Sequence, residues 1–291
     1  MKTRCPRPLD DGDSVVRAAL SPQRNDTSAP RRAASGRRLA GRRCRGPYNG
    51  RVPSPADAFE SLSVIIPAYN AASHIASTLA EVRAWLAAQR IPHELIVVDD
   101  GSRDDTATIA AASCPEALLL RNAENRGKGY AVRRGMLASE RAWSLFMDVD
   151  HSTHIRHLER FAEHAASADV IIGSRRLEAS RIVRPQHRLR QALGRTLPYI
   201  VRAFVLRDLT DTQCGFKLFR RAAVDAIFPR QQVERFVFDV EVLLLTRRAG
   251  LRVVEAPVDW DNPTDSTLRI GTDSLRMLLD LGRTSWRLRS R

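Results

Sequence analysis

The chain has 291 residues, enough for one large domain, and 47 Lys/Arg against 33 Asp/Glu leave a formal charge of +14. No run of about 18 apolar residues occurs, and no charged n-region leads into an apolar h-region, so neither a transmembrane helix nor a signal peptide is expected. Cys5, Cys44, Cys114 and Cys214 lack C-x-x-C spacing, which argues against a zinc or disulfide framework and fits a reducing cytoplasm.

The charge is unevenly spread. Residues 1–58 hold thirteen Lys/Arg against five Asp, which is +8 of the +14, among scattered Pro, Ser and Gly. Such a stretch buries too little surface to offset its chain entropy, so 1–58 is read as a disordered basic tail and 59–291 as the folded domain. Its Arg-Arg pairs could touch anionic lipid or nucleic acid, or simply be solvated. No aromatic interleaving or nucleic-acid module accompanies them, and no nucleic-acid partner is expected.

The folded part alternates in period. Leu62–Ile66 is a β-branched apolar run stopped by Pro67, a buried strand of a parallel sheet. Residues 73–89 show helical spacing, with Ser73 as N-cap. Strands follow at 95–98, 118–120, 145–147 and 170–172, and helices at 104–112, 127–139 and 154–166. Strands and helices spaced this way predict a doubly wound α/β sheet, whose ligands sit at the carboxyl ends of the strands. The last third holds a strand at 216–219, a helix at 236–249 and a strand at 253–258. Residues 176–208 and 270–291 carry apolar stripes among arginines, candidate amphipathic helices for a membrane interface or for packing on the domain.

Polar groups collect at the predicted strand ends. Asp148-Val149-Asp150 places two carboxylates on one side of an extended backbone, an oxygen-only site suited to a hard divalent cation. Asp99-Asp100 closes an earlier strand. Arg126-Gly127-Lys128-Gly129 is too short for a Walker motif, and reads either as backbone amides and two cations aimed at a diphosphate or as a plain glycine turn. His151, His154 and His157, at three-residue steps on a predicted helix, do not converge on one zinc ion. No G-x-S-x-G elbow is present to start a hydrolase triad.

These motifs together resemble the family 2 glycosyltransferases of GT-A fold. Ser63–Asn70, Val97–Ser102, Asn125–Gly129, Asp148–Asp150 and Gly173–Arg175 carry the resemblance. Asp211–Lys217, Phe238–Glu241 and Pro257–Trp260 resemble the dolichyl/polyprenyl-phosphate sugar transferases, nearest the dolichyl-phosphate β-glucosyltransferase type. The resemblance runs from about residue 62 to 282. It implies a Rossmann-like, mixed but mostly parallel sheet flanked by helices, and an inverting hexosyltransferase at the cytoplasmic, inner face of the membrane. The donor would be a nucleotide sugar (UDP-glucose, or a GDP-hexose such as GDP-mannose) and the acceptor a polyprenyl or dolichyl phosphate.

The same resemblance assigns residues. Pro67, Ala68, Asn70 and Asp99 would cradle the nucleoside, with Asp100 close by in the nucleotide-sugar site, and Asp148 would complete that pocket. Asp150 would bind Mg²⁺ or Mn²⁺, with Arg126 and Lys128 assisting on the diphosphate. Arg175, Arg181, Arg195, Gln213 and Lys217 would receive the acceptor phosphate, where a guanidinium matches phosphate oxygens in pairs. Asp239 would orient that site or Lys217. The sequence departs from its relatives at His151, beside the metal position, and at Ser266-Thr267, where relatives often carry Ser-Lys. A non-catalytic membrane or nucleic-acid-binding protein is the alternative from another class, and the paired acids argue against it.

Overall fold

Residues 53–181, 206, 208–235 and 237–261 are described in a computed structural model of the chain. Arg195, Ser266-Thr267, nearly all of the basic segment, most of 176–208 and all of 270–291 lie outside the described residues. The described part opens with a short helix, α1 (Pro55–Ala58), inside the segment assigned to the tail. Ser54 and Asp57 cap it reciprocally, and Phe59 behind it packs edge-on against Trp143.

The apolar runs become strands β1 (Leu62–Ala68), β2 (His93–Asp99), β3 (Leu118–Arg121), β4 (Trp143–Met147), β5 (Val170–Ser174), β6 (Phe216–Arg220) and β7 (Val253–Pro257). Their order in the sheet is β3-β2-β1-β4-β6-β5-β7. All neighbouring pairs are parallel except β4–β6 and β6–β5. The helices are α2 (Ile75–Gln89), α3 (Thr106–Ser113), α4 (Lys128–Ala138), α5 (Leu158–Ala162), α6 (Arg221–Ile227) and α7 (Phe238–Arg248). This is the doubly wound, mixed, mostly parallel sheet expected from the alternation.

Alternate residues of each central strand feed opposite cores. Leu62, Val64, Ile66, Leu95 and Val97 join the layer beneath α2, while Ile65, Ile96 and Val98 join the layer beneath α4 and α7. Burial on both faces is why these strands read as unbroken apolar runs.

Three local readings change. β1 continues through Pro67 rather than stopping there. Leu62 N–H donates to Pro92 and Ala68 C=O accepts from Asp100 N–H, so even-numbered residues of β1 bond to β2. Pro67 faces the β4 side, where the ladder has already ended at Ile65–Phe146, so its missing N–H costs no bond. Ser73 does not cap α2; the cap position is His74, after a turn in which the His74 and Ile75 amides donate to Ala71 C=O. The helix expected over 154–166 shrinks to a 3₁₀ turn (Ile155–His157) and α5. Beyond it the amides of His164, Ala165 and Ser167 bond three residues back, and Arg220 draws off the Ala165 and Ala168 carbonyls.

The antiparallel β6 decides where the site forms. Met147 pairs with Phe216 and Ile172 with Lys217. The start of β6 therefore lies beside the carboxyl ends of β1, β2, β4 and β5, on one edge of the sheet. That edge includes the switch point between β1 and β4, where such sheets open a crevice.

Helix α4 lies against β1 and β2 at Gly135, where an added Cβ would sit 3.0 Å from Val98 Cγ2 and closer still to Ile65 Cγ2. Alanine at a helix interior is ordinarily about 1 kcal/mol better than glycine. Here Gly135→Ala is expected to destabilise the fold by about 1–3 kcal/mol, because overpacking outweighs propensity. Urea denaturation of the variant measures this; a gain in stability would show that α4 has room to move.

Candidate active site

The site grows from loops that their own side chains hold shut. Asn70 N–H donates to Ser102 Oγ (2.9 Å), and Asn70 Oδ1 accepts from Arg103 N–H (2.9 Å). Ala71 N–H donates to Thr106 Oγ1 (2.7 Å), and Ala72 N–H to Asp104 Oδ2 (3.1 Å). The loop after β1 is thereby stitched to the loop after β2. Pro67, Ala68 and Asp99 are buried beneath, while Asn70 is exposed at φ +49°. Asp99 accepts from Ser102 N–H at 3.1 Å and faces Arg121 Nε at 3.4 Å. A cavity of about 260 Å³ opens beside them, lined by Tyr69, Ser102, Arg103, Arg121 and Asn122 among others.

Asp100 has a different task. Its two oxygens accept from Asn122 Nδ2 (2.6 Å), Asn125 Nδ2 (2.9 Å), Arg126 N–H (3.1 Å) and Gly127 N–H (2.7 Å). Four donors fill the capacity of a carboxylate that is 2% exposed. Asp100 thus shapes the turn into α4, where Gly127 stands at φ +114° with its Cα close to Glu234 C=O.

That turn delivers Lys128 to the end of β4, with Nζ 2.5 Å from Asp148 Oδ1. Burial opposes the Lys128 charge, but the fields of Asp148, Asp239 and Asp150 outweigh it and raise its pKa. Asp148 lies flat against Gly215, where any Cβ would collide with its carboxylate, and its N–H donates to Gly215 C=O at 3.1 Å. Asp150 accepts from Ser152 N–H at 3.0 Å. Burial first, and the neighbouring Asp148 second, push the Asp150 carboxyl above its ordinary value.

Lys217 is fully buried, its Nζ donating to Asp239 Oδ1 (2.5 Å) and Cys214 C=O (2.6 Å). Burial raises Asp239 above its usual range although Lys217 and Lys128 pull it down. Burial also pushes the Cys214 thiol up to about 12, which leaves it inert as a nucleophile at neutral pH.

Arg175 grips Asp211 with two nitrogens, Nε to Oδ2 at 2.6 Å and Nη2 to Oδ1 at 2.9 Å, and its backbone N–H adds a third bond at 3.1 Å. Nη1 is not engaged by Asp211, and the guanidinium centre lies 5.5 Å from the Trp260 ring. Glu255 on β7 fixes the partner loop by accepting from Thr210 N–H, Thr210 Oγ1 and Asp211 N–H. The segment after β7 then closes over the edge, with Trp260 N–H donating to Arg181 C=O and Asp261 N–H to Ser152 C=O.

The fold thus brings Lys128, Asp148, Asp150, Arg175, Lys217 and Asp239 together, with Gln213 in the same loop through its N–H to Asp211 Oδ1 (3.3 Å). Arg126 is drawn away, paired with Glu234 and stacked 3.8 Å over Tyr130. Arg181 is exposed and offers its carbonyl to Trp260. The three histidines do not act as the helical series expected: 151–154 form a turn that brings His151 and His154 to Glu81, while His157 points elsewhere. His157 is buried and neutral: Nδ1–H donates to His154 C=O, Nε2 accepts from Asp259 N–H, and burial lowers its pKa. Asp211, Glu255 and Trp260 received no role from sequence. The signals were Asp211 opening the motif that ends at Lys217 and Trp260 closing the motif that begins at Pro257.

A family model described as glycosyl transferase family 2 matches residues 63–228. The chain is 33% identical to the dolichyl-phosphate beta-glucosyltransferase of Saccharomyces cerevisiae, over 76% of this chain and 72% of the relative. It is 30% identical to the Homo sapiens protein of the same name, over 79% and 78%. Among solved structures, glucosyl-3-phosphoglycerate synthase from Mycobacterium tuberculosis in complex with Mn²⁺, UDP and phosphoglyceric acid superposes with a TM-score of 0.60 at 19% identity, over 81% of this chain and 82% of that one. Mannosyl-3-phosphoglycerate synthase from Rubrobacter xylanophilus gives 0.61 at 17% identity, over 79% and 74%. The fold is that of a GT-A glycosyltransferase. The chain belongs to glycosyl transferase family 2.

The Arg175–Asp211 pair predicts an acid-sensitive fold. Burial alone would raise the Asp211 carboxyl, but the Arg175 charge and hydrogen bonds overcome it and hold the group at about 2 against an ordinary 3.8. A depressed folded-state pKa stabilises above the unfolded value and is lost as pH falls through the folded one. The pair should therefore contribute on the order of 2 kcal/mol at neutral pH, lost between about pH 4 and pH 2. Asp211→Asn should remove that arm of the stability–pH curve, as urea melts across the range would record.

Proposed function

We propose that the protein transfers glucose from UDP-glucose to a polyprenyl or dolichyl phosphate, with inversion, at the cytoplasmic face of a membrane. The observation that carries this reading is the shared edge on which the Asp148–Asp150 pair and Lys128 stand beside the Arg175–Asp211 and Lys217–Asp239 pairs. The relatives named as dolichyl-phosphate beta-glucosyltransferases support the choice of donor sugar and acceptor. No helix among the described residues is long and apolar enough to cross a membrane, which is compatible with peripheral attachment.

In this reading the nucleoside occupies the cavity lined by Tyr69, Ser102, Arg103 and Arg121, with Pro67, Ala68, Asn70 and Asp99 assigned to it from sequence. Asp100 acts through the turn it holds. Lys128 sits where a diphosphate would meet a helix N-terminus and a cation together. Arg126 is set toward Glu234 and would assist only after leaving it.

Mg²⁺ or Mn²⁺ fits Asp150 and Asp148 by the chemistry of the donors. Two partly buried carboxylates repel one another there, the Asp150 carboxyl is raised in consequence, and Lys128 compensates only Asp148 directly. When bound, such an ion would neutralise charge gathering on the departing nucleoside diphosphate.

The acceptor is already an anion at neutral pH, so it needs positioning more than deprotonation. One of its phosphate oxygens attacks the anomeric carbon as the bond to the diphosphate oxygen breaks, and the configuration inverts. Arg175, held rigid by Asp211, presents Nη1 to that phosphate. Asp239 accepts from Lys217 Nζ and holds it in place, which makes it a positioning residue. Arg181 and Gln213 border the acceptor side, and Arg195 is assigned there from sequence alone.

Asp150→Ala is expected to cut transfer by about 10²–10³-fold or more. Its melting temperature should be unchanged or higher, since a carboxyl raised on folding destabilises the native state at neutral pH. The assay offers Mg²⁺, polyprenyl phosphate and labelled UDP-glucose, GDP-mannose and other nucleotide hexoses to the detergent-solubilised protein. Transfer from UDP-glucose to the lipid phosphate supports the reading. Preference for GDP-mannose, or undiminished transfer by the variant, would refute the donor assignment or the mechanism respectively.

A further inference from the structure

The turn after β4 carries a second cluster that sugar transfer does not use. His151 and His154 aim their Nδ1 atoms at the two oxygens of a single carboxylate, Glu81 on α2, each at 2.8 Å. One ligand atom from each of the three residues lies within 4.8 Å of the other two. The side chains are 27%, 36% and 32% exposed for His151, His154 and Glu81, so an ion can reach them from solvent.

The protons around His151 give this geometry direction. Thr78 Oγ1 donates its one proton to Val149 C=O (2.7 Å), and Ser77 Oγ donates its own to His74 C=O (2.8 Å). Both hydroxyls therefore meet His151 Nε2 as acceptors, at 3.0 and 2.9 Å, and Nε2 carries a hydrogen. Nδ1 then faces a carboxylate oxygen at 2.8 Å, and the His154 Nδ1 faces the other oxygen at the same distance, so one cation could be shared by all three side chains. An imidazole whose far N–H is held by oxygen acceptors is also how metal-ligating histidines are oriented. His151 stands at φ +58°, a region that residues with a Cβ seldom occupy. Three ring contacts, all to residues of α2, hold it there.

We propose that Glu81, His151 and His154 form a binding site for a transition-metal dication of the zinc type, separate from the oxygen-only Asp148–Asp150 pair. Two imidazoles and one carboxylate suit Zn²⁺, Co²⁺ or Ni²⁺ and leave positions open for water, whereas Mg²⁺ favours oxygen ligands alone. Metal bound there ties α2 to the turn that carries Asp148 and Asp150.

The test is a Co²⁺ titration of the tag-free full-length protein in excess Mg²⁺, followed by visible ligand-field absorption and by displacement with Zn²⁺. One Co²⁺ per chain is expected. Glu81→Gln and His154→Ala should each weaken it by at least about a hundredfold, since even loss of a partner behind a ligand costs tenfold or more. Asp150→Asn should retain it. The two ligand substitutions fall on part-exposed side chains, and thermal melts without metal should match the parent protein. Absence of Co²⁺ binding in the parent, undiminished binding in both ligand variants, or loss of binding in Asp150→Asn would each overturn the proposal.

Discussion

Four carboxylates, those of Asp148, Asp150, Asp211 and Asp239, converge on one edge of the sheet, and the site depends on keeping them there without letting their charges drive them apart. Arg175 answers Asp211, Lys217 answers Asp239 and Lys128 answers Asp148. Among the described residues Asp150 has no such direct cation, and it is raised by burial and by its neighbour. A buried ion pair contributes modest net stability, because desolvation consumes much of the attraction, but losing one partner is costly. The pairs are therefore better understood as fixing positions than as strengthening the fold. The uncompensated carboxylate is the one that a divalent cation would complete.

Topology makes this crowding possible. The antiparallel β6 brings Gly215 and Lys217 to the level of Asp148 and Ser174, residues far apart in the chain. Gly215 has no Cβ, which leaves room for the Asp148 carboxylate against its backbone. Around this edge a ring of supporting polar groups holds the loops. Asp100 gathers the turn into α4, Glu255 gathers the Thr210–Asp211 turn, and Glu241 accepts from the Gln232 and Val233 amides. Each of these carboxylates meets backbone N–H donors that no strand or helix would satisfy. The loops thereby gain fixed shapes without apolar burial of their own.

The turn from Asp148 to His154 stands between two kinds of chemistry. Its first part presents hard oxygen donors to the sheet edge, and its second presents imidazoles to α2. Thr78 joins them, donating to Val149 C=O while accepting from His151. A change in how this turn sits on α2 is thus mechanically connected to the position of the two aspartates.

Much of this was legible in the sequence. Unbroken β-branched runs give strands buried on both faces, and polar groups placed directly after them can only fall at strand ends, so the sheet and the Asp99, Asp148 and Arg175 positions followed from pattern. Family membership followed from the order of the motifs. Orientation and partnership did not. Nothing local in Phe216–Arg220 says that it runs antiparallel between β4 and β5, because direction is set by which neighbours complete the ladder. Sequence also placed Asp100 beside Asp99 in the nucleotide-sugar site, whereas distant donors on 122–127 occupy Asp100 fully. The histidines at 151, 154 and 157 looked like a helical series until the turn sent two of them to Glu81 and the third to Asp259 N–H. Local pattern thus determined which residues lie at the edge of the sheet. Tertiary structure alone decided which charges meet there, because pairing depends on through-space distance and burial that sequence separation does not encode.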